Sequence, residues 1–252
     1  MQTKFILALV CLSGLAHYTT RSQDDMPITN QKALKFERTL KREVALNYLL
    51  FLPNDYEIKG AKRWPLMLFL HGAGERGTNL SKVTLHGPPK LVKEKRDFPF
   101  ILVSPQCPSN QRWDNDALLA LLDEVVKEHS VDPKRIYLTG LSMGGYGTWS
   151  LGVSHPDRFA AIAPICGGGE IIDVLLASRS KAPALRSLGV WAFHGGKDGT
   201  VKVSESERMV NALKSAGGKE VELTIYPEAG HDSWTETYNN PKLYEWFLQH
   251  SR

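Results

Sequence analysis

The sequence predicts an α/β protein, a mostly parallel sheet with helices on both faces. Three observations point there. Short apolar runs rich in branched and aromatic residues recur along the chain, stretches with apolar residues at helical spacing separate them, and the residues able to do chemistry fall just after the runs. In an open α/β sheet, that position is the carboxyl edge of the strands, where ligands bind. The 252 residues, 42% of them hydrophobic, suffice for one domain with a large core.

In chain order, the N-terminus reads as a targeting segment. Lys4 precedes the apolar run Phe5 to Leu12, and Gly14-Leu15-Ala16 supplies small residues for cleavage. The expectation is a signal peptide over residues 1–20, a flexible tail over 21–35 and a catalytic domain over 36–252. The apolar run is too short to remain as a membrane anchor, so no membrane association is expected after its removal. Strands are expected near 42–52, 66–70, 100–104, 135–139, 161–165, 189–194 and 220–226. Helices fall between them. Asn115 to Ser130 has leucines and valines at helical spacing and should end before Asp132-Pro133. Tyr146 to Ser154, Ser204 to Ala216 and Lys242 to Gln249 are the other candidates. Lys90 to Arg96 reads as a solvated helix face. Between Gly167 and Gly189 there is room for about one short helix, so no large lid is expected. The net charge of +4 is mild and its lysines and arginines are scattered, which argues against a nucleic-acid partner.

Gly140-Leu141-Ser142-Met143-Gly144 directly follows the run Arg135 to Thr139 and precedes the helix at Tyr146. A serine on a tight strand-to-helix corner needs glycine on either side, because a side chain at 140 or 144 would strike neighbouring backbone. Ser142 is thus the candidate nucleophile. It needs a base and an orienting acid. His155 sits at a helix end and His250 near the terminus, whereas His231 follows the run Val221 to Tyr226 after Gly230 and is the candidate base. Asp198 lies in the loop after Val190 to Phe193 and is the candidate acid; Asp232, adjacent to His231, cannot easily reach its ring in line. His194 reads as structural, bonded to loop backbone.

Negative charge developing on a carbonyl oxygen needs donors. The run Leu66 to Leu70 delivers His71-Gly72-Ala73-Gly74-Glu75-Arg76-Gly77, whose backbone can supply one N–H, assigned to Ala73 with Gly74 as the alternative. Met143, at the start of its helix, supplies the other. Glu75 and Arg76 are expected to pair and brace the loop.

The segments LHGAGERG (Leu70 to Gly77), SPQCP (Ser104 to Pro108) with Trp113 after it, GLSMGG and HGGKDGTV together resemble the α/β-hydrolase superfamily across nearly all of the mature chain. More narrowly they resemble secreted carboxylesterases related to feruloyl and cinnamoyl esterases, polyhydroxybutyrate depolymerase-like esterases and the esterase domains often labelled predicted peptidases. The resemblance implies hydrolysis of small-molecule or polymer-attached esters at Ser142, Asp198 and His231, with no metal and no cofactor. A serine peptidase using the same residues, or a non-catalytic binding protein on the same fold, are the alternatives; neither the acyl group nor the oligomeric state is written in the sequence. Position and resemblance suggest Gln106, Trp113 and Trp234 as substrate-binding residues, although for a tryptophan a place in the core is the commoner case. Cys107 and Cys166 both emerge at the carboxyl edge of the sheet in a protein expected in an oxidising compartment, and either pair in a disulfide or stay buried thiols.

Overall fold

In the computed structural model, residues 34–58, 60–94 and 97–252 are described. The expected signal peptide and most of the tail, residues 1–33, lie outside them. The chain divides into two units, Met1–Glu43 and Val44–Arg252. Within the first, residues 34–43 form neither helix nor strand and are exposed.

The second unit is built on a seven-stranded sheet. Its strands are β1 (Tyr48–Phe51), β2 (Trp64–Leu70), β3 (Ile101–Pro105), β4 (Val131–Leu141), β5 (Ala161–Ile165), β6 (Gly189–Gly195) and β7 (Val221–Tyr226), in the spatial order β1-β3-β2-β4-β5-β6-β7. Only the β1–β3 pair is antiparallel. The apolar runs read as near-continuous because these strands are buried on both faces. Along β2, Leu66, Leu68 and Leu70 enter one core and Met67 and Phe69 the other. The first core receives α2 (Asn115–Glu128), α3 (Met143–Ser154), α4 (Ile171–Ser180), α5 (Ala182–Ser187) and α6 (Ser204–Ser215). The second receives α1 (Gly87–Glu94) through Val92, α7 (Trp234–Asn239) and α8 (Pro241–Gln249).

β1 is shorter than the expected 42–52. The ladder ends because Gln106 N–H still reaches the Asn47 carbonyl, but the next position facing β1 is Pro108, which has no N–H; the intervening Cys107 N–H points to the other side of β3, to the His71 ring at 3.0 Å. β4 starts earlier than expected. Trp64 pairs with Val131 and Leu66 with Ile136, so Asp132-Pro133 bulges out of the ladder rather than ending it. Two helices, α4 and α5, occupy the segment expected to hold about one.

The strand order decides between the two readings of the cysteines, against a disulfide. Cys107 follows β3 and Cys166 follows β5, with β2 and β4 between, so three strand spacings of ~4.8 Å hold them roughly 14 Å apart. Bridged cysteines need Cα atoms within about 7 Å. Both are buried free thiols.

Candidate active site

The loops leaving β2 and β4 diverge to opposite faces, toward α1 and α3, and open a crevice at the centre of the carboxyl edge. Ser142 stands there, between β4 and α3. Its φ of +52° is one that non-glycine residues rarely adopt. The backbone is held there by Ser142 N–H donating to the Ile165 carbonyl (3.0 Å) and by Tyr146 N–H donating to the Ser142 carbonyl (3.0 Å). The flanking glycines have the steric cause expected of them. A Cβ on Gly140 would lie 2.5 Å from the Gly144 oxygen, and one on Gly144 would lie 1.9 Å from the Leu70 oxygen.

His231, in the loop from β7 to α7, meets the Ser142 Oγ through Nε2 at 2.9 Å. Its Nδ1 meets Asp198 Oδ2 at 2.7 Å. The other carboxylate oxygen of Asp198 accepts the N–H groups of Thr200 (2.8 Å) and Val201 (2.9 Å). Burial by itself would raise this carboxyl, but the His231 hydrogen bond and the two backbone donors outweigh it and hold Asp198 below the ordinary aspartate range. Because the ionised carboxylate can only accept, Nδ1 of His231 carries the proton and Nε2 is free to take one from Ser142. Asp232 is occupied elsewhere, accepting the N–H and the hydroxyl of Thr235. His194 is fully buried between the Ser206 hydroxyl (2.8 Å) and the Val201 carbonyl (3.0 Å), the structural role expected of it.

Ala73 and Gly74 lie in a 3-10 turn, Ala73–Glu75, and Met143 is the first residue of α3. N–H groups in such first turns have no partner within their own helix. Glu75 and Arg76 do not pair. Arg76 donates instead to the carbonyls of Ala73 (2.9 Å) and Gln111 (3.1 Å), while Glu75 turns inward toward His71.

A cleft of about 720 Å³ opens from Ser142, with Trp113, Met143 and Tyr146 among its walls and Asp116, Glu170 and Asp173 along its rim. Of the three expected substrate-binding residues, only Trp113 lines it. Gln106 is buried, and its amide donates to the carbonyls of Glu75 (2.7 Å) and Asn79 (2.8 Å), so it builds the loop rather than the cleft. Trp234 faces the other way, edge-on to the rings of His231 and His86 in a small depression beside α1. Sequence reasoning missed Tyr146, although four residues after Ser142 on a helix falls on the same side as the serine. Burial pushes its phenol up, so it remains a neutral hydrogen-bonding group at neutral pH. Among the described residues no cluster of His, Cys, Asp or Glu suits a metal ion.

Comparison with known proteins bears on the family and the fold. A 48-residue segment is 46% identical to poly(3-hydroxyalkanoate) depolymerase C of Paucimonas lemoignei, over 19% of this chain and 12% of that protein. A 150-residue segment is 27% identical to the bifunctional acetylxylan esterase/xylanase XynS20E of Neocallimastix patriciarum, over 57% of this chain and 20% of that one. The chain thus spans a fifth or less of the length of either relative. Among solved structures, a thermostable esterase superposes with a TM-score of 0.67 at 33% identity, covering 82% of this chain and 60% of the other. The profile of the dienelactone hydrolase family matches residues 94–243, which include Ser142, Asp198 and His231. The chain belongs to the dienelactone hydrolase family and has the α/β-hydrolase fold.

Proposed function

We propose that the protein is a serine carboxylesterase that cleaves short-chain or aromatic acyl groups, including those attached to polysaccharide, by two-step acyl transfer. One observation carries this reading: the unbroken line from Ser142 Oγ to His231 Nε2 (2.9 Å) and from His231 Nδ1 to Asp198 (2.7 Å), at the floor of an open cleft. His231 takes the serine proton as Oγ attacks the ester carbonyl, and the N–H groups of Ala73 and Met143 receive the oxyanion. His231 then protonates the leaving alcohol. Water repeats the cycle on the acyl-enzyme, and Asp198 stabilises the imidazolium at each stage. No metal or cofactor enters these steps. The aromatic walls Trp113 and Tyr146 suit a planar acyl group, and the polar rim suits a hydroxylated alcohol portion. The relatives' activities on polyester and acetylated xylan are in keeping with an ester attached to a polymer. The same reading has the chain exported, with roughly the first 16 to 20 residues removed; N-terminal sequencing of the mature protein checks this.

The test is initial hydrolysis rate on p-nitrophenyl acetate, butyrate and decanoate and on methyl ferulate, for the wild type and Ser142→Ala. The expected result is turnover of short or feruloyl esters that falls by ~10⁴ or more in the variant. Near wild-type turnover by Ser142→Ala refutes the assignment. Silence across the panel from folded wild type, with cleavage of matched peptide amides, assigns the site to a peptidase instead.

A further inference from the structure

The segment SPQCP and the tryptophan after it, Ser104 to Trp113, have no part in the chemistry above, yet they are bound to the loop that carries the proposed oxyanion donors. Five hydrogen bonds join the two. Cys107 N–H donates to His71 Nε2 (3.0 Å), and Gly77 N–H donates to the Cys107 carbonyl (3.0 Å). The Gln106 amide donates to the Glu75 carbonyl (2.7 Å), Arg76 to the Gln111 carbonyl (3.1 Å) and the Trp113 indole to the His71 carbonyl (3.1 Å).

The carbonyls involved form a series. The His71 carbonyl takes Trp113 Nε1, the Gly72 carbonyl takes His71 Nδ1 (2.6 Å), and the Ala73 carbonyl takes Arg76 Nε (2.9 Å). His71 can do this because its Nε2 accepts from Cys107, which fixes the neutral tautomer with the proton on Nδ1. In a trans peptide, the C=O and the following N–H point in opposite directions. Three side-chain donors on three successive carbonyls therefore set the directions of three successive N–H groups, those of Gly72, Ala73 and Gly74. Both candidates for the oxyanion donor, Ala73 and Gly74, are in that series.

We infer that Arg76, which sets the Gly74 N–H, and Trp113, which fixes the peptide immediately before the one that carries the Ala73 N–H, are positioning residues for the oxyanion loop, with His71 Nδ1 holding the Ala73 peptide itself and the Gln106-to-Trp113 segment as their frame. This rests on the esterase reading above. It predicts a loss confined to the transition state, where the oxyanion exists, and not to binding of the ground-state ester.

The experiment compares wild type with Trp113→Phe, which keeps a ring and removes the indole donor, and Arg76→Met, which keeps the stem and removes the guanidinium. On p-nitrophenyl acetate and butyrate, each variant is expected to lower kcat about 10-fold with KM within about twofold, a misaimed donor costing less than the 10²-fold or more of a lost one. Inhibition by butylboronic acid, whose tetrahedral adduct on Ser142 Oγ places an oxygen where the oxyanion forms, should weaken by the same factor as kcat/KM falls. Arg76 is at the surface, so its variant carries the test even if Trp113→Phe loses stability in a thermal melt. Unchanged kcat in both variants overturns the inference and leaves the esterase reading standing. A rise in KM graded by acyl size at constant kcat also overturns it, making Trp113 only a wall of the cleft. A wild type inactive on every ester sinks the esterase reading and this inference with it.

Discussion

Asp198→Asn replaces one oxygen by an NH₂ group and should abolish most turnover while leaving the fold intact. In the wild type one carboxylate oxygen accepts the N–H groups of Thr200 and Val201, and the other accepts His231 Nδ1–H. An asparagine must put its carbonyl oxygen toward the two backbone donors, since its amide group cannot accept from them. Its NH₂ then faces His231 Nδ1. That nitrogen must become the acceptor, which moves the imidazole proton to Nε2, opposite Ser142 Oγ. A protonated Nε2 cannot receive the serine proton, so the imidazole is held in the wrong tautomer. The corresponding loss in serine hydrolases is ~10⁴ in kcat, or about 5 kcal/mol of transition-state stabilisation. Stability should change less, by the ~1.5–3 kcal/mol typical of a hydrogen bond to a charged group. The sign of the pH dependence follows from the depressed folded pKa of Asp198. Its contribution is fully present above the unfolded value of about 3.9 and is lost as pH falls through the lower folded value, so the asparagine variant should show a flatter acid limb. The assay is kcat on p-nitrophenyl acetate together with urea unfolding from pH 3 to 8. Turnover within tenfold of wild type, in a folded variant, would refute the tautomer argument.

Gly144→Ala places a methyl carbon 1.9 Å from the Leu70 oxygen and 2.8 Å from the His71 oxygen, so β2 and α3 must separate; a loss of about 3 kcal/mol or more is expected, read as a lower midpoint in urea. Gly74→Ala meets nothing within 4 Å and should leave that midpoint within ~0.5 kcal/mol, a contrast that a uniform cost for glycine replacement does not produce. Cys107 and Cys166 should both alkylate once the protein is unfolded without reductant. In the folded protein both should resist, because burial removes access and pushes the Cys107 thiol up and the Cys166 thiol up to about 12; a mass deficit of two hydrogens in the unreduced protein would contradict this.

What can be read from the sequence is what a short motif or the end of a strand fixes. The glycine at 140 is required by the Gly144 backbone one turn on, and the glycine at 144 by the Leu70 and His71 carbonyls where the tight corner brings α3 against β2, so their spacing points to the Ser142 corner. Asp198 and His231 were legible because each follows an apolar run whose end is the functional edge of a parallel sheet. The state of the cysteines stayed open in the sequence because lateral position in a sheet is a property of strand order. Two residues can both end strands at one edge and still have β2 and β4 between them. Gln106 was misassigned: it emerges beside the cleft, but its side chain turns inward to satisfy the Glu75 and Asn79 carbonyls, a demand created by a loop 27 to 31 residues away. Arg76 was assigned to its neighbour Glu75, when the unfilled acceptors were the carbonyls of Ala73 and Gln111.

α3 contains glycine at 144, 145, 147 and 152 within twelve residues. Each costs ~1 kcal/mol relative to alanine in helix formation, so the isolated peptide should be almost wholly coil. Contacts with strands on either side replace what propensity lacks: Gly144 lies against Leu70, Gly145 against Ile165 and Gly152 against Ile162. The helix that presents Ser142 is therefore a product of the assembled sheet, with no independent tendency to persist. Heat or denaturant that frees β2 or β5 from its neighbours dissolves the helix in the same event, and the serine loses its strained backbone with it. Inactivation and unfolding should be one transition.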